Sequence, residues 1–168
     1  MEWTGARYAD TPTAEARIWI DAPAGRVWRL VSDVVLMPDM SDELQSAEWL
    51  DGATGPALGA RFLGRSRHEA LGEWSATSSV VEFEPGRVFG WAVGDPGEPA
   101  ARWRFRLEPD GRGTELSEWA QLGPGRSGLS LAIDQMPDKE QKIVFVRLRE
   151  FERNITATLA KIKKLAES

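Results

Sequence analysis

The feature that most constrains this chain of 168 residues is an apolar stripe near its C-terminus. From Asp138 to about Glu167, Val144, Leu148, Phe151, Ile155, Leu159 and Ile162 recur every three or four positions, the period of one helix face. Pro137, then Asp138, Lys139 and Glu140, has the acidic-leading order of a helix start. A helix of about eight turns with one apolar face draws most of its stability from packing that face on a partner. The rest of the chain must supply a surface long enough to bury it.

That surface is legible upstream. From about residue 44 to 122 the apolar pattern has period two, broken by Asp51-Gly52, Gly55-Pro56, Gly72, Pro85-Gly86, Asp95-Pro-Gly97 and Asp110-Gly111. Alternation punctuated by turn residues predicts strands joined by hairpins, at 44–50, 60–68, 73–84, 87–93, 101–108 and 113–122. An earlier strand is expected over Ala14 to Ile20. After it, Asp21-Ala-Pro23 reads as a capped helix start, with Asp21 as cap and Pro23 in the first turn. Val27, Trp28, Leu30 and Val31 carry that helix toward Asp33, and a second short helix is expected around Pro38 to Leu44. These elements predict an α+β fold. A curved antiparallel sheet of about seven strands wraps the long C-terminal helix, with two short helices after the first strand. No linker or repeat divides the chain, so one domain over 1–168 is expected, with its core at 14–165.

Composition narrows the function classes. With 42% hydrophobic and 28% charged residues the chain is too apolar for disorder. It has no cysteine, which rules out disulfides, thiol nucleophiles and Cys-based zinc sites, and no metal or cofactor is expected. The net charge of −5 argues against nucleic-acid binding. Lys161, Lys163 and Lys164 fall in the last turns of the helix, where they complement its dipole. No stretch nears the roughly 18 apolar residues of a membrane span, and the start lacks a signal-peptide pattern. A cytoplasmic monomer or homodimer is the expectation, and the Gly, Ala and Arg richness hints at a bacterial source.

Eight tryptophans against one tyrosine suggest a shared aromatic interior. In 101–107, Arg102, Arg104 and Arg106 must face solvent, so Ala101, Trp103, Phe105 and Leu107 face inward. The same alternation turns in Phe62, Gly64, Ser66 and His68, then Trp74, Ala76, Ser78 and Val80, then Phe89, Trp91 and Val93. In the last strand it turns in Leu116, Glu118 and Ala120, leaving Trp119 outside. It places no arginine on the inner face. Large rings among small residues, with a few polar groups, match a small-molecule site better than a packed core. The expected ligand-contacting residues are Phe62, Ser66, His68, Trp74, Ser78, Phe89, Trp91, Trp103, Phe105 and Glu118, with Leu148 and Phe151 from the helix. His68 and Glu118 are the candidates for acid–base chemistry. Alternatives stay open: His68 at a strand end can simply meet solvent, Glu118 can pair with an arginine, and the indoles can touch only one another. The loop Gly123 to Gly128 lacks a phosphate-binding signature and reads as a gate or a connector.

Short segments spread over residues 14–165 also resemble a known superfamily. They are Ile20-Asp-Ala-Pro-Ala-Gly-Arg-Val-Trp28 running on to Val31-Ser-Asp33, Gly59-Ala-Arg-Phe62, Trp74, Glu84-Pro-Gly-Arg87, Trp103-Arg-Phe-Arg-Leu-Glu-Pro109 and Gly113-Thr114. The pattern is similar to the START-like (SRPBCC) helix-grip proteins, specifically the polyketide cyclase/dehydrase group. The resemblance implies a cavity between the sheet and the C-terminal helix. It also implies a spectrum of roles, from lipid and hormone carriers to aromatase/cyclases that use a cavity arginine with hydroxyl-bearing residues. The expectation for this chain is binding of a small hydrophobic ligand, with aromatic and polyketide-like molecules as the candidates. The alternatives are a cyclase, aromatase or dehydratase acting in the same cavity, and an interaction module with a packed interior.

Overall fold

The computed structural model describes residues 1–168. Seven strands, β1 (Thr13–Ile20), β2 (Leu44–Trp49), β3 (Arg61–His68), β4 (Gly72–Glu84), β5 (Val88–Val93), β6 (Ala101–Asp110) and β7 (Gly113–Leu122), form one antiparallel sheet. Its order is β1-β7-β6-β5-β4-β3-β2. Strands β2 to β7 run as a meander, and β1 closes onto β7. Between β1 and β2 the chain crosses from one edge of the sheet to the other through α1 (Ala24–Val31) and α2 (Met37–Met40). After β7 come α3 (Gly128–Gln135) and the long α4 (Glu140–Glu167). None of these helices is long and apolar enough to cross a membrane.

The apolar stripe does what its period demands. Val144, Leu148, Phe151, Ile155, Leu159, Ile162 and Ala166 are buried along α4, which packs on β1 and β7 and touches α1 and α2. Strand alternation holds as well. Phe105 and Leu107 are buried while Arg106 is exposed. Trp119 lies on the outer face, where the Arg104 guanidinium sits 4.4 Å from its ring centroid. Arg104 also bonds Glu82 across the sheet at 3.1 Å. This outer cation–π contact lets a tryptophan face away from the core.

Two helical expectations need correction, and one helix is additional. Pro23, not Asp21, holds the N-cap position of α1. The Asp21 carboxylate pairs with Arg112 instead, and its main-chain N–H donates to Glu167 at 2.7 Å. The second helix spans only Met37–Met40. The Ser41 hydroxyl accepts the N–H groups of Glu43 and Leu44, a local bond that competes with helix and releases Leu44 to pair with Ser66. Helix α3 was not foreseen. It is opened by Ser127, whose N–H donates to the Ser130 hydroxyl, and it is separated from α4 by the turn at Pro137.

Ile162 is fully buried and belongs to the α4 stripe. Ile162→Ala is expected to cost about 2–5 kcal/mol of stability, read as a lower urea midpoint with an unchanged m-value.

Candidate functional site

The sheet and α4 do not fill the space between them. A cavity of about 490 Å³ lies inside, bounded by β2 to β7, α2, α3 and α4. It exists because small residues (Gly64, Ala76, Ser78, Ala101) share the inner face with large rings. Those rings brace one another instead of closing the gap. Trp91 stacks on Trp103 at 6.4 Å with planes 12° apart. Trp103 in turn meets Phe151 of α4 at 4.8 Å. Such offset contacts hold aromatic walls rigid. The exposed wall residues Trp74, Ser75, Gly94, Arg126 and Gly128 mark where the cavity meets solvent.

Nine of the twelve residues named from sequence line this space. Phe62, Ser66, Trp74 and Ser78 come from β3 and β4, and Trp91, Trp103 and Phe105 from β5 and β6. Glu118 enters from β7 and Phe151 from α4. Three do not reach it. Phe89 is fully buried between Trp28 and Trp91. Leu148 turns to the N-terminal segment, beside Met1, Gly5 and Thr13. His68 bends toward α4, where its Nε2 lies 2.7 Å from Glu150.

The histidine is committed to that position. The main-chain N–H groups of Ala70 and Leu71 both donate to Nδ1, at 3.0 and 3.1 Å. Nδ1 therefore carries no proton, and Nε2–H donates to Glu150. With both ring nitrogens engaged, His68 fastens the β3–β4 turn to α4. Four strand spacings also separate β3 from β7, about 19 Å along the sheet. The pairing of His68 with Glu118 as acid and base is not supported by this geometry.

Glu118 is the unusual group. It is 5% exposed, and its Oε1 has no hydrogen-bond partner. Its cross-strand neighbours are Phe105 on β6 and Ala16 on β1. Burial without a compensating charge pushes its carboxyl up to about 8, so the protonated acid is the dominant form at neutral pH.

The opposite end of the cavity is ionic, and here an expectation fails: an arginine is inside. It comes from α4, not the sheet. Arg147 forms a fork to Glu43 with both contacts at 2.7 Å and reaches Glu150 at 3.2 Å. Asn154 adds a bond to Glu43 at 2.9 Å. Burial alone would raise the Glu43 carboxyl, but the bonds and charge of Arg147, with help from Asn154, hold it below its ordinary value. Burial likewise works against the Arg147 charge, and Glu43 and Glu150 overcome it. The signal was present in the helix period. Arg147, Asn154 and Thr158 are spaced i, i+7, i+11, beside the apolar stripe, and all three line the cavity. The loop from Gly123 is fastened rather than free. Gly123 and Gly125 donate to Ala100 and Pro99, both at 2.8 Å. A Cβ on Gly125 would lie 2.1 Å from the Glu98 carbonyl oxygen. The side chains form no cluster suited to a metal ion.

Comparison with known proteins agrees with this architecture. The family model described as polyketide cyclase / dehydrase and lipid transport matches residues 11–167. The Polyketide_cyc-like protein Cgl2372 from Corynebacterium glutamicum, known from a solution NMR structure, is 31% identical. The match covers 91% of this chain and 90% of that one, with a TM-score of 0.66. The Zhui aromatase/cyclase from Streptomyces sp. R1128 is 19% identical over 94% of each chain, with a TM-score of 0.64. The di-domain ARO/CYC StfQ from the steffimycin biosynthetic pathway is 10% identical and scores 0.68, covering 92% of this chain and 50% of that one. The last two share the fold. No functionally curated protein matches in sequence.

The buried acid leaves a signature in stability. The folded-state value of Glu118, about 8, lies above its ordinary 4.5, so between those limits the folded chain holds a proton that the unfolded chain releases. Stability is then fully present below about pH 4.5 and declines as pH rises toward 8. At about 1.4 kcal/mol per pH unit, the full window is worth on the order of 4–5 kcal/mol. Glu118→Gln, neutral at every pH, is expected to remove most of that slope in urea titrations at pH 5, 7 and 9.

Proposed function

The chain belongs to the polyketide cyclase/dehydrase and lipid transport family, and we propose that it binds a small, largely apolar, aromatic molecule in the cavity beneath α4. The observation that carries this reading is the cavity itself, about 490 Å³, within the usual range of small-molecule sites of about 300–1,000 Å³. An interaction module with a packed interior would have that space filled. Trp91, Trp103, Phe62 and Phe105 offer flat apolar surface for ring stacking, while Ser66, Ser78 and Glu118 supply sparse polar contacts that orient the guest. Arg147 is so fully engaged by Glu43 and Glu150 that it serves mainly to hold the wall in shape.

Titration with a panel of one- to four-ring hydrophobes and polyketide-like compounds is expected to give a saturable change in tryptophan emission. Ser78→Phe, which drives a ring into the cavity, is expected to weaken binding about tenfold or more while leaving the circular dichroism unchanged. If no compound gives a saturable response, the reading fails.

A second reading, catalysis of a cyclisation or dehydration, is favoured by one observation: an apolar site that keeps Glu118 protonated holds a general acid where a guest would sit. On that reading Glu118→Gln lowers kcat about 100-fold or more with little change in Kd. Equal turnover by the variant would leave binding as the role.

A further inference from the structure

The surroundings of Glu118 specify which functional group the guest presents to it. On the same face of the sheet, its neighbours on β6 are Phe105 directly opposite, with Trp103 and Leu107 on the diagonals. On β1 they are Ala16, with Ala14 and Ile18 on the diagonals. None is titratable and none carries a hydrogen-bonding side chain apart from the indole N–H. The carboxyl therefore sits, with Oε1 unpartnered, in a wall made of π faces and methyl groups.

The remaining charges of the cavity wall narrow the choice. Both carboxylate oxygens of Glu43 occupy the Arg147 fork, and Glu150 takes a further contact. Arg126, at the mouth, is paired with Asp134 on the exposed surface. Every cation in the wall is already engaged, so an acidic guest such as a fatty acid finds no counter-charge. A carboxyl oxygen needs a donor, and aromatic faces attract cations. Resting on the binding reading above, we propose that the guest is an aromatic hydrophobe bearing a basic nitrogen, whose ammonium group docks against Glu118 between the faces of Trp103 and Phe105.

The proton balance follows directly. At neutral pH the free site holds the acid form of Glu118 and the free guest is an ammonium ion. Docking forms a carboxylate–ammonium pair, and the proton from Glu118 passes to the buffer. A neutral guest that accepts a hydrogen bond from the acid form would release none.

Calorimetric titration of the whole chain at pH 7, in phosphate and in Tris, tests this with three isosteric probes: 2-naphthylmethylamine, 2-naphthylmethanol and 2-naphthoate. The amine is expected to bind about tenfold or more tighter than the alcohol, with the carboxylate weakest. Close to one proton should be released per amine bound, and none per alcohol. Glu118→Gln is expected to abolish the preference for the amine over the alcohol, both measured on the variant, together with the proton release. An alcohol or carboxylate that binds as well as the amine, or amine binding without proton release, would overturn the proposal while leaving the binding reading intact. The wild-type ranking and proton count stand even if the variant folds poorly. Failure of all three probes would count against the binding reading itself, and this inference would fall with it.

Discussion

Everything in this structure follows from covering a wide curved sheet with one helix. Seven strands at about 4.8 Å spacing present an arc of about 29 Å, while a helix with its side chains is about 10–12 Å across. Helix α4 lies along the β1–β7 end, and the helices between β1 and β2 cover part of the remainder. Over the middle strands no element is left to fill the concave side, so that region either collapses or stays hollow. Stacked indoles resist collapse, because each ring is braced by the next from Phe89 through Trp91 and Trp103 to Phe151. The hollow is the consequence of architecture, and side-chain choice decides how it is lined.

The two polar regions of that lining are built on opposite electrostatic logic. Around Arg147, buried charges are compensated by short bonds from two carboxylates, and the group acts as a rigid clasp between α4 and the bend that precedes β2. At Glu118 nothing compensates, so the group meets burial by keeping its proton. A compensated cluster is finished chemistry, with few donors or acceptors left for a guest. An uncompensated one is available. This asymmetry gives the cavity a direction, with a charge-compensated end and an uncompensated one.

Much of the fold was legible because period and punctuation are local properties. The seven strand ranges, the α4 stripe and even the outward Trp119 follow from alternation, which hardly depends on tertiary context. What was not legible depended on contacts between distant segments. His68 points to the inner side by parity, yet two main-chain N–H groups from its own turn and a carboxylate 82 residues away decide what its ring does. Arg147 sits on a helix whose apolar stripe is clear, but only the position of Glu43 makes the adjacent polar stripe an interior one. The second short helix ended early because one serine hydroxyl claimed two amides. In each case two or three specific hydrogen bonds overrode a local pattern, and propensities carry no record of such bonds.

The closure of β1 onto β7 has a consequence for how this protein is made. Thr13 pairs with Gln121 and Ile20 with Thr114, so the first strand waits for the last before it has any partner in the sheet. At about 5–20 residues per second of synthesis, the intervening segment takes roughly 5–20 s to emerge. Through that interval the meander from β2 onward can assemble hairpin by hairpin, since its contacts are local. Its β7 edge and the floor of the cavity, Glu118 included, stay open until β1 returns across roughly a hundred residues of chain. The buried acid is thus among the last groups to leave water, since its burial needs both the pairing of β1 with β7 and the cover of α4, which follows both strands in the chain.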